Sequence, residues 1–389
     1  MNKKKKIVPK LRFPEFVNED KWKNKRIEQL LTIGNGCDYK HLSKGDIPVY
    51  GSGGYMCSVD DFLYDGDSVC IGRKGTIDKP IFLRGKFWTV DTLFYTHSYK
   101  NCIPKFIYNI FQRINWLKYN EAGGVPSLSK TTINKINIYI PKIPEQQKIA
   151  DCLSSIDELI DAESRKLKAL EKYKKGLMQK LFPAEGKTLP EWRFPEFKHC
   201  GDWEQATLAK VAFYENGKAH ENYIEECGKY IVVNSKFIAT DGEVKKHSNT
   251  ASLLAKKGDV LMVLSDVPNG RALAKCYLVD ENDKYTVNQR ICRLRPHDID
   301  SSFLFYHMNR NKYFLNFDDG VKQTNLKKSD VLACPLLKPK EKREQQKIAD
   351  CLSEIDTMIT EQFKKIERLE THKKGLMQGL FPSLEEADV

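Results

Sequence analysis

A ten-residue block, Glu145 through Ser154 (EQQKIADCLS), returns unchanged as Glu344 through Ser353. The same segments close on KGLMQKLFP (Lys175 to Pro183) and KGLMQGLFP (Lys374 to Pro382), and from start to close about two-thirds of positions are identical without a gap. Chance does not produce this; duplication does. A shorter repeat leads into each globular stretch: RFPEF at Arg12–Phe16 ahead of Trp22, and RFPEF at Arg193–Phe197 ahead of Trp203. The chain is therefore read as two tandem halves, each a diverged globular segment followed by a near-invariant helical one. The boundaries expected are 1–144 and 184–343 for the globular domains, 145–183 for the first helix, and 344–389 for the second helix with its tail.

The repeated block predicts a long helix. Its apolar positions, Ile149, Leu153, Ile156, Ile160, Leu167, Leu170, Leu177 and Leu181, follow the alternating 4–3 step of a coiled-coil seam. The second copy gives Ile348, Leu352, Ile355, Ile359, Ile366, Leu369, Leu376 and Leu380, and both copies lapse at matching places, Glu163 and Lys174 against Gln362 and Lys373. Some 36 residues rising ~1.5 Å each give a rod of about 54 Å. An amphipathic helix lying on its own domain would also bury such residues, but so narrow and long a seam favours helix-on-helix pairing. Pairing within one chain or by exchange between two chains is left open.

An antiparallel pair is expected. It lets the second globular segment leave and rejoin the rod at one end, as domain termini usually do. A parallel pair in register would set Lys174 against Lys373, whereas an antiparallel pair can bring Glu163 near Lys373; like charges at a half-buried seam are unfavourable. The expected object is a pseudo-twofold dumbbell with both chain termini near the first domain.

The fold class expected is α+β, with two mixed, β-rich globular domains separated by the two-helix coiled coil. In the first half IPVY, SVCIG, IFLRG and FWTVDTLFYTH read as strands between glycine and aspartate turns, and Ile103 to Tyr119 as a helix. In the second, YIVVNS, DVLMVLS, ALAKCYLV and ICRLRP read as strands and SSFLFYHMNRNKYFLN as the matching helix. Each half then passes a glycine turn into a basic stretch, GGVPSLSKTTINKI and DGVKQTNLKKSDVL.

Composition excludes several classes. Lys and Arg total 64 against 52 Asp and Glu, a formal charge of +12 that favours polyanionic partners. No apolar run approaches the ~20 residues of a membrane span, and MNKKKKIVPK has no hydrophobic stretch behind it, which argues against a secretory signal and for the cytoplasm. The eleven cysteines are odd in number and lack C-x-x-C spacing, so scattered buried thiols are expected and no metal or cofactor. GKT at Gly186–Thr188 lacks the upstream glycine of a phosphate loop, Leu181 standing in its place. GSGG at Gly51–Gly54 has no continuing G-x-x-G and reads as a tight turn. Neither a G-x-S-x-G elbow nor the Asn/Asp-Pro-Pro-Tyr/Phe tetrapeptide of amino-methyltransferases occurs. A binder without catalytic residues is expected.

Its candidate contacts are polar and cationic side chains at glycine turns. They are Ser52, Gly53 and Tyr55; Arg73, Lys74 and Thr76; Ser129 and Lys130; Ser265, Asn269 and Arg271; Gln289 and Arg290; and Asn325, Lys327 and Lys328. Arg can bond guanine bidentately, Asn and Gln adenine, while Ser, Thr and Lys reach phosphates. Lys130, Lys327 and Lys328 are assigned to the phosphate grip and Arg73, Lys74, Thr76, Asn269, Arg271, Gln289 and Arg290 to base readout. The bland reading is that these are solvated turns, with Arg271 or Arg290 paired to acids such as Asp266.

The duplicated EQQKIADCLS…KGLMQ-x-LFP blocks, the RFPEF…W lead-ins, the GDIPVYGSGG…IGRKGT…KFWTVDTLF run and KGDVLMVLSDVPNGR…VNQR together resemble the specificity (S) subunit of type I restriction–modification systems, over essentially the whole chain. The resemblance implies a non-catalytic subunit in which each recognition domain reads one half of a bipartite, non-palindromic DNA site. It implies two methyltransferase (M) subunits docked on the helices and two restriction–translocase (R) subunits in the full complex. S-adenosylmethionine, ATP and magnesium would sit on those partners, in a prokaryotic cytoplasm. The alternatives are a stand-alone DNA-binding coiled-coil scaffold and a fused restriction enzyme; the second should carry the catalytic motifs that are missing.

Overall fold

The structure is a computed structural model that describes residues 8–382; the basic residues 1–7 and the tail 383–389, on which part of the terminal readings fell, lie outside it. The chain forms two compact units, one comprising the residues up to 165 together with those from 363 onward, the other 166–362.

In the first unit β1 (Lys23–Arg26), β2 (Thr32–Gly34), β3 (Lys44–Gly51), β4 (Gly54–Val59), β5 (Tyr64–Asp65), β6 (Ser68–Gly72), β7 (Ile81–Leu83), β8 (Lys86–Thr89) and β9 (Leu93–His97) precede α1 (Pro104–Phe111), α2 (Lys130–Lys135) and β10 (Asn137–Ile140). α3 (Ile143–Leu181) follows. In the second unit β11 (Glu204–Thr207), α4 (Leu208–Val211), β12 (Ala212–Asn216), β13 (Tyr230–Val233), α5 (Ser235–Ala239), β14 (His247–Ser248), β15 (Val260–Val263), β16 (Ser265–Asp266), β17 (Cys276–Leu278), β18 (Tyr285–Val287) and β19 (Ile291–Pro296) lead to α6 (Ser301–Met308), α7 (Lys312–Leu315), β20 (Thr324–Asn325), α8 (Lys328–Leu332) and β21 (Pro335–Lys338). α9 (Lys342–Gly379) closes the described chain.

The two units repeat one topology although their globular sequences have diverged. An antiparallel sheet ordered β2-β9-β6-β7 has its counterpart in β12-β19-β15-β17. Beside it β3 runs parallel to β8 and antiparallel to β4, as β13 runs parallel to β18 and antiparallel to β14. β1 pairs with β10 as β11 pairs with β21. The central strands β6 and β15 are buried along their whole length, which is why SVCIG and VLMV read as unbroken β-formers rather than as alternating faces.

The segment expected to be one helix from Ile103 to Tyr119 stops at Phe111. The Trp116 indole N–H donates to the Phe111 carbonyl at 2.8 Å and turns the chain back, and only a 3-10 turn, Trp116–Tyr119, follows. The matching helix likewise breaks after Met308, where Arg310 adopts φ +56° and Asn311 caps α7. Only five of the eleven cysteines are buried: Cys37, Cys200 and Cys227 are exposed and Cys57, Cys152 and Cys351 intermediate, so the expectation of buried thiols holds only for part of the set. Among the described residues no helix is long and apolar enough to cross a membrane, and no three His, Cys, Asp or Glu side chains converge as metal ligands.

α3 is 39 residues long and α9 38, with Pro144 confined to the first turn, where a missing N–H costs nothing. At ~1.5 Å per residue α3 spans about 58 Å. Every seam residue of both copies is buried or half-buried. Within the first unit Asp157 bonds Lys373 and Glu163 bonds Lys365, each at 2.5 Å. Within the second, Lys174 bonds Asp356 at 2.5 Å. Partner numbers rise on one helix as they fall on the other, so the pairing is antiparallel. Lys373 therefore meets Asp157 and not Glu163; the true register is about two turns from the one that charge at the lapses alone suggested.

The seam ends in the globular cores. Ile149 and Leu153 pack with Leu380 and Phe381 in the first core, and Ile348 and Leu352 with Leu181 in the second. Phe381 stacks on Phe106 at 5.4 Å and meets Trp22 edge-on at 5.9 Å; Phe182 does the same to Phe303 at 5.3 Å and Trp203 at 6.4 Å. Each core is thus closed by the last turn of the helix that belongs to the other repeat. The described ends of the chain also meet in the first unit, where the Leu11 amide donates to the Gly379 carbonyl at 2.8 Å.

The invariant EQQ is explained by the same joints. Glu145 accepts from Arg12 at 2.8 and 2.7 Å and from the Trp22 indole at 3.2 Å. Glu344 accepts from Arg193 at 2.7 and 2.7 Å and from Trp203 at 3.2 Å. Gln146 accepts from the Ile103 amide and donates to the Pro141 carbonyl, as Gln345 does with Asp300 and Pro339. These residues fix each globular body to its helix, a task the sequence reading had assigned to no residue.

Candidate nucleic-acid interface

Shared topology makes the two sets of candidate loops comparable, which their sequences do not. In the first unit the Arg73 amide donates to the Thr92 carbonyl at 2.8 Å, and the Leu128 amide to the Arg73 carbonyl at 2.9 Å. In the second the Leu264 amide donates to Arg290 at 2.9 Å, and the Leu326 amide to Leu264 at 2.8 Å. The bridge Lys74–Ser127 matches the pair Ser265–Asn325. Residues 73, 74, 91, 92 and 127–130 therefore correspond to 264, 265, 289, 290 and 325–328. Gly36 and Gly217 support the frame from behind. A Cβ at either would fall inside the carbonyl group of Val90 or Asn288, and backbone there cannot step aside. Gly36→Ala and Gly217→Ala are each expected to cost about 2–3 kcal/mol or more in denaturant unfolding of the whole chain; an unchanged midpoint would contradict this.

In the first unit Arg73, Lys74, Ser129 and Lys130 line one groove of about 690 Å³. Thr76 sits on the same loop, its carbonyl packed where only the hydrogen of Gly72 leaves room. Ser52 lies against Gly75, which brings the β3–β4 turn alongside. That turn is the tight two-residue loop expected, Ser52-Gly53 between Gly51 and Gly54, with Gly54 at φ +110° and Tyr55 62% exposed beside it. Ser129 caps α2 by accepting from the Thr132 amide at 3.1 Å and donates to Glu121 at 2.7 Å, so its hydroxyl is occupied. The Thr132 hydroxyl, and then that of Ser129, donate to Glu121 and hold its carboxyl below the usual range. Burial, then the charge of Arg73, lowers the Lys130 ammonium, which lies 6.0 Å over the Phe94 ring. Lys130 is thus a partly desolvated cation repelled by its neighbour, a state that a nearby anion would relieve.

The second unit distributes its candidates. Gln289 and Arg290 line a groove of about 460 Å³ with Asn234, Lys236 and Lys246. Ser265 is buried, its hydroxyl accepting from Gln323 at 2.7 Å. Asn269, at φ +55°, braces its loop: its amide side chain donates to the Gly320 carbonyl at 3.3 Å and its backbone N–H to Asp318 at 3.1 Å. Asp266 takes the amides of Val267, Ala272 and Leu273. It does not pair with Arg271 or Arg290, and among the described residues neither arginine has an ion-pair partner. Lys327, Lys328 and Asn325 are exposed, Lys328 lying 5.6 Å over Tyr214. The sequence reading missed Asp91, Thr92, Asn234, Lys236 and Lys246. Asp91 and Thr92 fall inside the FWTVDTLFYTH run that read as one strand; the structure breaks that run into β8 and β9 at this point, a turn that matches Gln289 and Arg290 between β18 and β19.

Each unit thus presents a polar, cation-rich groove on a common backbone frame, with different side chains in the two copies. The description "Type I restriction modification DNA specificity domain" belongs to the family model that matches residues 19–172 and again 201–371. The MjaVIII specificity subunit of a type I restriction enzyme from Methanocaldococcus jannaschii is 27% identical over 349 residues, 82% of this chain and 77% of that one. The S subunit of a type I restriction–modification system from M. genitalium shares the fold with a TM-score of 0.69 at 16% identity, covering 97% of this chain and 100% of its own. A chain from a structure of type I R-M complex assembly superposes with a TM-score of 0.55 at 13% identity, over 93% and 98%. Two tandem matches, one to each half of the duplication, establish that this chain belongs to the type I restriction modification DNA specificity family.

Proposed function

We propose that this chain is the DNA-reading subunit of a type I restriction–modification assembly, each unit reading one half of a bipartite, non-palindromic site. The observation that supports this best is the duplicated frame with unlike side chains: the same hydrogen-bonded crossing carries Arg73, Lys74, Asp91 and Thr92 in one unit and Leu264, Ser265, Gln289 and Arg290 in the other. One scaffold with two reading surfaces suits a target whose halves differ. Lys130, Lys327 and Lys328 hold phosphates, a sequence-independent grip. The exposed positions that the two helix copies share near their ends, such as Gln147, Lys148 and Asp151 with Gln346, Lys347 and Asp350, receive two copies of one methyltransferase subunit, and two restriction–translocase subunits complete the assembly. The methyl donor, ATP and magnesium belong to those partners, in the cytoplasm of a prokaryotic cell. An adenine within a duplex must be extruded before it is methylated, so the reader has to hold the strand while the partner works.

The test is to co-express the chain with its methyltransferase subunit and map N6-methyladenine across the host genome. A two-part motif is expected. Exchanging residues 23–143 for those of another member of the family should change one half of that motif and leave the other intact. Change in both halves, or failure to co-purify with a methyltransferase, would refute the proposal.

A further inference from the structure

Asp91 is the one acid of the first groove whose carboxylate has no partner among the described residues. Glu121, the other acid lining that groove, is engaged at its Oε1 by the hydroxyls of Ser129 and Thr132. Arg73 does approach Asp91, but its guanidinium reaches the backbone carbonyl at 3.4 Å and not the carboxylate. Asp91 is exposed and shares the groove with Arg73, Lys74 and Lys130. A surface serving only to grip phosphates gains nothing from a free carboxylate, which repels them. What a carboxylate can accept from in the major groove is an exocyclic amino group, above all cytosine N4. The position is also the frame equivalent of Gln289, which lines the groove of the second unit. Both units therefore set a hydrogen-bond acceptor at this point, immediately before Thr92 in one and Arg290 in the other.

We propose that Asp91 is a specificity-determining residue that accepts from the amino group of a cytosine in the half-site read by the first unit. This deepens the DNA-reading role proposed above and rests on it. The carboxylate selects by chemistry: opposite guanine O6 or thymine O4 it faces another acceptor, so those bases are rejected as well as cytosine favoured.

The test uses the full chain co-expressed with its methyltransferase subunit, comparing Asp91→Asn and Asp91→Ala with the unaltered chain by genome-wide N6-methyladenine mapping. The 23–143 exchange identifies which half-motif belongs to the first unit. Asp91→Asn, which adds a donor beside the acceptor as adenine requires, is expected to move one position of that half from C·G towards A·T. Asp91→Ala should leave the position unread, with discrimination there falling roughly 10- to 100-fold. The other half-motif and the thermal midpoint should not change. An unaltered motif in both variants overturns the assignment. So does uniformly weaker modification with the motif intact, which is what a residue that merely positions Arg73 would produce. If the unaltered chain gives no two-part motif, the DNA-reading role falls and this assignment with it.

Discussion

Glu145→Ala and Glu344→Ala should each destabilise the unit that holds them by about 3–5 kcal/mol, the usual cost of breaking a buried ion pair from one side. Glu145 and Glu344 are 2% and 1% exposed, and each satisfies an arginine and a tryptophan N–H at once. Truncation leaves a buried guanidinium without its counter-charge and an indole without an acceptor. Denaturant unfolding of the full chain should show the loss, followed by the fluorescence of Trp22 or Trp203. Removing the charge from both sides is much less costly, so Arg12→Met in a Glu145→Leu background should recover part of the stability. A loss below about 1 kcal/mol for either single alanine variant would show that the joint does not hold the body to its helix.

The second large effect is on DNA. Lys327→Ala with Lys328→Ala, and separately Lys130→Ala, should weaken binding to all sequences alike. Every phosphate that a lysine no longer neutralises reduces the slope of log K against log salt by roughly 0.9, so the double variant should flatten it by up to about 2. Arg73→Ala should act differently, because without its guanidinium discrimination at one position of the half-site also relaxes. The measurement is a salt titration of the chain with its methyltransferase subunit on cognate and scrambled duplexes. Unchanged slopes in the lysine variants would remove those residues from the phosphate grip.

The architecture was legible because its signal is redundant. Duplicated blocks, a seam sustained from Ile149 to Leu181 and strands such as SVCIG each declare themselves without reference to the rest of the chain. The helix direction was legible too, since only one direction brings complementary charges together. The register was not, because each charged lapse pairs with a side chain flanking the seam rather than with a lapse of the other copy: Lys373 with Asp157, Glu163 with Lys365 and Lys174 with Asp356. The candidate loops were legible as turns, but what each of their side chains touches was not. Ser265 and Asn269 have the right chemistry on paper, yet burial under Gln323 and a clamp to Gly320 already occupy their polar atoms. Asp91 was invisible for the opposite reason: an acid in a basic protein attracts no notice until its neighbours are known. The equivalence of 73 with 264 rests on backbone hydrogen bonds, which side-chain identity does not encode.

The exchange of helix ends between repeats also orders events during synthesis. The second unit is one continuous stretch of chain, so it can finish folding while the residues beyond 362 are still in the ribosome. The first unit is made earlier but cannot be completed until Leu380 and Phe381 emerge to cover Trp22 and Phe106. A nascent chain therefore carries an unfinished N-terminal body until those two residues arrive, and a stop codon shortly ahead of them injures the part of the protein that was made first.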